Sequence, residues 1–136
     1  NYILNIPHLE RPVIHDSCNV LYPYVLGVEE ILGIEVPERA KYVRVIASEL
    51  NRCIYIMYWL AIYGIFLGHS TMFMWPAGDR EFLIDLMEKM TGARVTHAHF
   101  VPGGVRNDLP ANFEDVCLRQ VNYFEKRIKE YAAIFL

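Results

Sequence analysis

The sequence predicts an all-α fold, a helical bundle of about four helices around a long central buried helix, with a short extended or hairpin segment near residues 93–105. Three observations carry this. Apolar residues recur every three or four positions over most of the chain. Residues 37–68 continue that pattern with no internal proline, and the next proline is Pro76. A single segment, ARVTHAHFV, has the two-residue alternation of a strand.

Taken in order, residues 1–16 hold Pro7 and Pro12 and show no sustained period, so they form an irregular or partly extended lead-in. Ser17 offers an N-cap for a first helix, in which Leu21, Val25, Val28, Ile31 and Leu32 make one stripe and which Gly33 ends. The link from Ile34 to Val36 is short enough to make this helix a neighbour of the next. In the second helix, Pro37 suits the first position and Glu38 complements the positive end of the helix dipole. Its first half is amphipathic, with Val43, Ile46, Ala47, Leu50 and Cys53 on one face and Lys41, Arg44, Ser48 and Asn51 on the other.

Residues 53–66 are apolar all round, and such a helix must be wrapped by protein or by lipid. The uncharged run continues to Trp75, long enough to span a bilayer, but Gly68, His69, Ser70 and Thr71 interrupt it after about 15 residues. No basic cluster flanks it to set an orientation. Burial within protein is the expectation, and an integral membrane segment is the alternative.

Pro76 and Gly78 then mark a break, and Asp79 caps a third helix containing Phe82, Leu83, Leu86, Met87 and Met90, closed by Thr91-Gly92. Val95, His97, His99 and Val101 alternate with Thr96, Ala98 and Phe100 before Pro102-Gly103-Gly104 forces a turn. From about Pro110 to the end, Phe113, Cys117, Val121, Phe124, Ile128, Tyr131 and Phe135 define a fourth helix. No repeat or linker divides the chain, so residues 1–136 read as a single helical domain.

Of the 136 residues, 54% are hydrophobic and 13% aromatic, rich for a free-standing soluble domain and suited to a piece that buries surface against partners. A net charge of −3 provides no electrostatic footprint for nucleic acid. Cys18, Cys53 and Cys117 are odd in number, widely spaced and outside any Cys-x-x-Cys pair, which favours small buried hydrophobes over a disulfide framework or zinc site. The first residues lack the basic start and cleavage site of a signal peptide, and the absence of an initiator Met suggests a fragment.

His97-x-His99 places two imidazoles on one face of an extended segment without a third ligand at fixed spacing, so hydrogen-bonded structural histidines are expected rather than a metal site. Gly103-Gly104 reads as turn chemistry before anion binding. Glu49 and Arg52, with Glu38 and Arg44 along the same helix, read as solvated surface pairs in an isolated chain. No nucleophile, base and orienting acid assemble from sequence order.

Two strings, YPYVLGVEEILGIEVPERAKYVRVIASELNR and GDREFLIDLMEKMTGARVTHAHFVPGGVRNDLP, resemble the D subunit of respiratory complex I, the NADH:quinone oxidoreductase, and its relatives in archaeal respiratory complexes and membrane-bound hydrogenases. The resemblance runs from about Leu9 to the end, and VEEILGIEVPERA, TGAR and PGGVRNDLP in this order are its specific part. It implies the central helical portion of a longer subunit related to the large subunit of nickel-iron hydrogenases. It further implies a peripheral arm on the cytoplasmic side of the cell membrane, docked on membrane-arm subunits.

In that family the counterpart of Arg11 lies beside an iron-sulfur cluster held by a neighbouring B-type subunit. The positions of nickel-binding cysteines in hydrogenase relatives are Val13 and Asp16 here, so a nickel-iron centre is not expected. A quinone-binding tyrosine is replaced by Ile14, and an acidic residue by Phe66. The family's cluster-tuning histidine falls at Thr96, with His97 adjacent. The resemblance thus implies a quinone pocket around Ile14 and Phe66, with His15 and Tyr63 as the nearest proton-carrying groups, and Arg11 and His97 near the partner's cluster. Quinone would bind at the subunit interface and NADH or another donor at a distant subunit, with no cofactor held by this chain alone. The alternative is a structural or assembly scaffold without quinone chemistry. The isolated fragment is expected to show no redox activity and to associate with itself.

Overall fold

The computed structural model describes residues 1–135. Its order is α1 (Ile6–Leu9), a 3-10 turn (Ile14–Asp16), α2 (Ser17–Leu32), α3 (Glu38–Phe66), α4 (Ser70–Thr91), β1 (Phe100–Val101), β2 (Gly104–Val105) and α5 (Phe113–Phe135). The all-α expectation holds, with a two-stranded antiparallel hairpin pairing Phe100 with Val105 and Val101 with Gly104. The lead-in is more ordered than expected, since α1 and the 3-10 turn both form, and Ile6 is buried.

Helix α3 is the axis on which the other elements pack. Its buried positions include Val43, Ala47, Leu50, Ile54 and Met57, which join Leu21 and Val25 of α2 and Leu83, Leu86, Met87 and Met90 of α4 in one apolar cluster. Helix α5 adds Phe113, Phe124 and Tyr131, and the hairpin adds Phe100. The half of α3 after Cys53 is covered on one side and open on the other, where Ile56, Trp59, Tyr63, Ile65 and Phe66 face outward. By length and composition α3 is able to cross a membrane, and 39% of its most apolar window is buried within the chain.

The polar side expected for the first half of α3 requires correction. Arg44, Ser48 and Asn51 are buried, with Arg44 only 1% exposed, because the helix packs this side against the rest of the chain. Arg44 grips Glu29 of α2 through Nη1 at 3.0 Å and Nη2 at 2.5 Å, and it also donates to the carbonyls of Val101 and Gly104. Glu29 Oε1 in turn accepts the Gly103 N–H at 2.8 Å. Gly103 has φ +94°, a conformation that side chains disfavour, and this bends the hairpin so that its amide reaches the carboxylate. Turn chemistry at Gly103-Gly104 is thereby tied to a buried ion pair. Glu49 and Arg52 do form an exposed pair.

Several predicted boundaries move. Ser17 is the first residue of α2 rather than its cap, and its hydroxyl donates to the Val95 carbonyl at 3.1 Å. Ile31 and Leu32 are exposed, so the α2 stripe stops at Val28. Pro37 is the N-cap of α3 instead of its first helical residue. The break expected at Pro76 lies earlier, at Gly68, and α4 starts with His69 Nδ1 accepting the Met72 N–H at 3.2 Å. Pro76 has a helix-compatible φ and forgoes only one N–H bond, so it sits inside α4. Asp79 is consequently not a cap. It accepts bonds from Tyr123 (2.7 Å), Arg127 (2.6 Å) and Tyr131 and so fastens α5 to α4. The strand alternation ends short because Ala98 has φ +43°, leaving only Phe100 and Val101 in the ladder.

Candidate functional site

The 3-10 turn lies across α3 because Asn51 clamps it there. Asn51 Oδ1 accepts the Cys18 N–H at 2.9 Å, and its Nδ2 donates to the His15 carbonyl at 3.1 Å. Asn19 Nδ2 adds a bond to the Ser48 carbonyl at 3.2 Å. These contacts bring the Arg11–His15 segment beside the middle of α3 and open a groove of about 440 Å³ between them. The groove is lined by Arg11, Pro12, Val13, Ile14 and His15 on one side and by Tyr55, Tyr58, Trp59, Ile62 and Phe66 on the other.

Four of the six site residues expected from sequence, Arg11, Ile14, His15 and Phe66, therefore share one groove. Tyr63 is exposed beside it, its ring 6.3 Å from that of Trp59, and does not line it. His97 lies apart and buried, with Nδ1 3.1 Å from Thr91 Oγ1 and from the Ala93 carbonyl. Burial, only partly offset by the Ala93 carbonyl, holds His97 below its ordinary range. Glu10 nevertheless joins the two regions. It is fully buried, and its Oε1 accepts the Ala98 N–H at 2.8 Å, so the segment carrying Arg11 is tied to the one carrying His97.

His99 departs from the expectation of a hydrogen-bonded histidine. Both of its ring nitrogens are buried without a protein partner, and burial followed by the charges of His97, Arg106 and Arg44 brings its pKa down to about 4. Among the described residues no three potential ligands gather to hold a metal. The donor set also does not suit nickel: Val13 and Asp16 supply no thiolate, and burial pushes the Cys18 thiol far up.

Sequence reasoning missed the aromatic wall. Tyr55, Tyr58, Trp59, Ile62 and Phe66 recur at helical spacing and so form one stripe of α3, a signal present within the all-round apolar run. It also missed Arg80 of α4, whose guanidinium carbon lies 5.7 Å from the centre of the Tyr58 ring. Larger concavities lie elsewhere among the described residues. One, of about 1000 Å³, lies between the end of α2 and the start of α3 and is bordered by Glu30, Glu35 and Glu38; another, of about 620 Å³, is an apolar furrow between α3 and α5. Neither contains any of the six expected residues.

The family model for the 49 kDa subunit of respiratory-chain NADH dehydrogenase matches residues 67–136. The chain is 44% identical over 112 residues to the D subunit of the F(420)H(2) dehydrogenase of Methanosarcina mazei, covering 82% of this chain and 30% of that protein. It is 40% identical over 137 residues to the D subunit of the NADH-quinone oxidoreductase of Wolinella succinogenes, covering 99% of this chain and 33% of that one. Among solved structures, a chain of the membrane-bound sulfane sulfur reductase, an archaeal respiratory membrane complex, superposes with a TM-score of 0.95 at 33% identity. That match covers 98% of this chain and 36% of the other. The chain thus spans about a third of the length of the relatives it matches.

Proposed function

The chain belongs to the family of the 49 kDa, or D-type, subunits of respiratory-chain NADH dehydrogenases, and from that premise we propose that it forms, with a B-type iron-sulfur subunit, the interface where electrons pass to quinone. In this reading residues 1–136 are one helical domain of a longer, hydrogenase-like large subunit. The subunit sits in a peripheral arm on the cytoplasmic side of the cell membrane, against membrane-arm subunits. An NADH or other donor site lies elsewhere, on a distant subunit. The open face of α3 suits both such docking and self-association of the isolated fragment.

The observation that carries the proposal is the groove, where a cation, a histidine and a wall of aromatic rings from separate elements converge. Aromatic and aliphatic walls bury a flat ring and its tail, while few polar groups fix its orientation. Reducing a quinone by two electrons also requires two protons. Ile14 and Phe66 supply neither a donor nor an acceptor, so the ring is gripped mainly by apolar contact, and His15 is the titratable group of the 3-10 turn within reach of the groove.

Such a site is expected to accept a less polar, low-potential naphthoquinone at least as well as ubiquinone analogues. Acceptor rates in the intact complex, compared between wild type and Ile14→Tyr, test this. Equal rates for all acceptors, with no change on adding the tyrosine, would exclude quinone binding at Ile14.

Arg11 is proposed to stabilise the reduced form of the partner's cluster, since a positive charge nearby favours an added electron. Arg11→Met should lower the cluster's reduction potential, measured by redox titration of its electron paramagnetic resonance signal. An unchanged potential would make Arg11 an ordinary surface ion.

A second reading, a scaffold of a related complex without quinone chemistry, is favoured by the same two carbon side chains at 14 and 66. Activity with no quinone of any class, despite a stable complex with the cluster-bearing partner, would select it.

A further inference from the structure

His15 and Tyr58 stack face to face, with ring centres 3.9 Å apart and planes inclined by 21°. Arg80 reaches them from α4: its Nη2 is 3.5 Å from His15 Nδ1, and its guanidinium lies over the Tyr58 ring. Arg80 is half-buried, its Nε has no hydrogen-bond partner, and among the described residues it makes no ion pair. This differs from Arg39, Arg44, Arg52, Arg94 and Arg127, each of which meets a carboxylate. An arginine placed against a histidine instead of an acid has a particular chemical effect. Guanidinium is a donor only, so the nitrogen facing it must act as the acceptor. The remaining ring proton is then on Nε2.

We propose that Arg80 is a positioning residue that holds His15 as the neutral Nε2–H tautomer, a fixed hydrogen-bond donor to a carbonyl oxygen of a planar acceptor in the groove. The inference rests on the groove being the acceptor site. The other groups around His15 do not reverse this assignment. Asp16, beside it in the 3-10 turn, accepts from Asn19 Nδ2 at 2.6 Å; Arg11 is a second cation lining the groove; Tyr55 and Tyr58 are the phenols of α3 facing it. Burial first, and then the Arg80 charge, hold His15 below its ordinary value. A neutral imidazole polarises a carbonyl through its Nε2–H whatever the pH above its own titration, whereas an imidazolium would make binding follow the pH.

The test uses the assembled complex and two readouts. The first is the pH dependence of His15 modification by diethyl pyrocarbonate, which attacks neutral imidazole, followed by peptide mass spectrometry. The second is the pH dependence of KM for a short-chain naphthoquinone. In Arg80→Gln the midpoint of His15 reactivity is expected to move to higher pH, and KM should become pH-dependent near neutrality while kcat changes less. Arg80→Lys, which keeps the charge, should restore the wild-type midpoint and guards against misfolding of the first variant. An unmoved midpoint in Arg80→Gln overturns the proposal. A moved midpoint with a KM that ignores pH overturns the groove as the acceptor site, while Arg80 remains the group that sets His15.

Discussion

Replacing Arg44 with Met is expected to cost about 3–5 kcal/mol of folding stability, because it leaves the Glu29 carboxylate buried without its counter-ion. The loss would be read as a lower urea midpoint at an unchanged denaturant slope. The double variant Glu29→Leu with Arg44→Met should regain part of it, since the unpaired charge is gone, while the Gly103 N–H and the Val101 and Gly104 carbonyls still lack the partners they had. Acid separates wild type and single variant further. In the wild type, burial pushes Glu29 up, but the Arg44 fork, the Gly103 amide and the Arg44 and Lys41 charges outweigh it and hold the carboxyl below its ordinary value of 4.5. Its contribution is therefore complete above that ordinary value and is lost as pH falls through the lower folded value. In Arg44→Met burial dominates, the folded value rises, and acidification relieves the variant instead. Stability curves of wild type and variant that fall together as the solution is acidified would contradict the pairing.

Gly64→Val is the other substitution with a large expected effect. A β-carbon at Gly64 would lie 2.6 Å from the Phe73 nitrogen, 2.7 Å from the Met72 carbonyl carbon and 2.9 Å from the Met72 β-carbon. Two of these atoms are backbone, so no side-chain rotation relieves the clash, and α3 must move away from α4. Overpacking of this kind costs about 1–3 kcal/mol, rising with the size of the inserted group. Melting temperatures should fall in the order Gly, Ala, Val. An Ala variant as stable as wild type would show that the two helices are not held this close.

Helix α3 and the first turns of α5 were legible because period alone marks them. Pro76 misled because proline is read as a stop, whereas here the stop comes from Gly68 with φ +69°. The polar positions 44, 48 and 51 misled for a different reason. Helical phase shows which residues share a side, but it does not show that a neighbouring helix and a hairpin will pack against that side. Long-range pairs such as Arg44 with Gly104 have no local signature. At the site, family resemblance singled out Arg11, Ile14, His15 and Phe66, and the groove unites them. Arg80 escaped notice because its relation to His15 exists only once α4 has folded back along α3.

Helix α5 joins the remainder of the molecule through few points. Asp79 gathers Tyr123, Arg127 and Tyr131, and Phe124 and Tyr131 enter the core, yet an unfilled apolar furrow separates the helix from α3. Local opening costs less where fewer apolar contacts must be broken. The consequence is an expected hierarchy in time: the amides of α5 should exchange their hydrogens through local opening sooner than those of α3. During each such opening the Asp79 carboxylate would meet water, and the furrow would exist only in the intervals when α5 is seated.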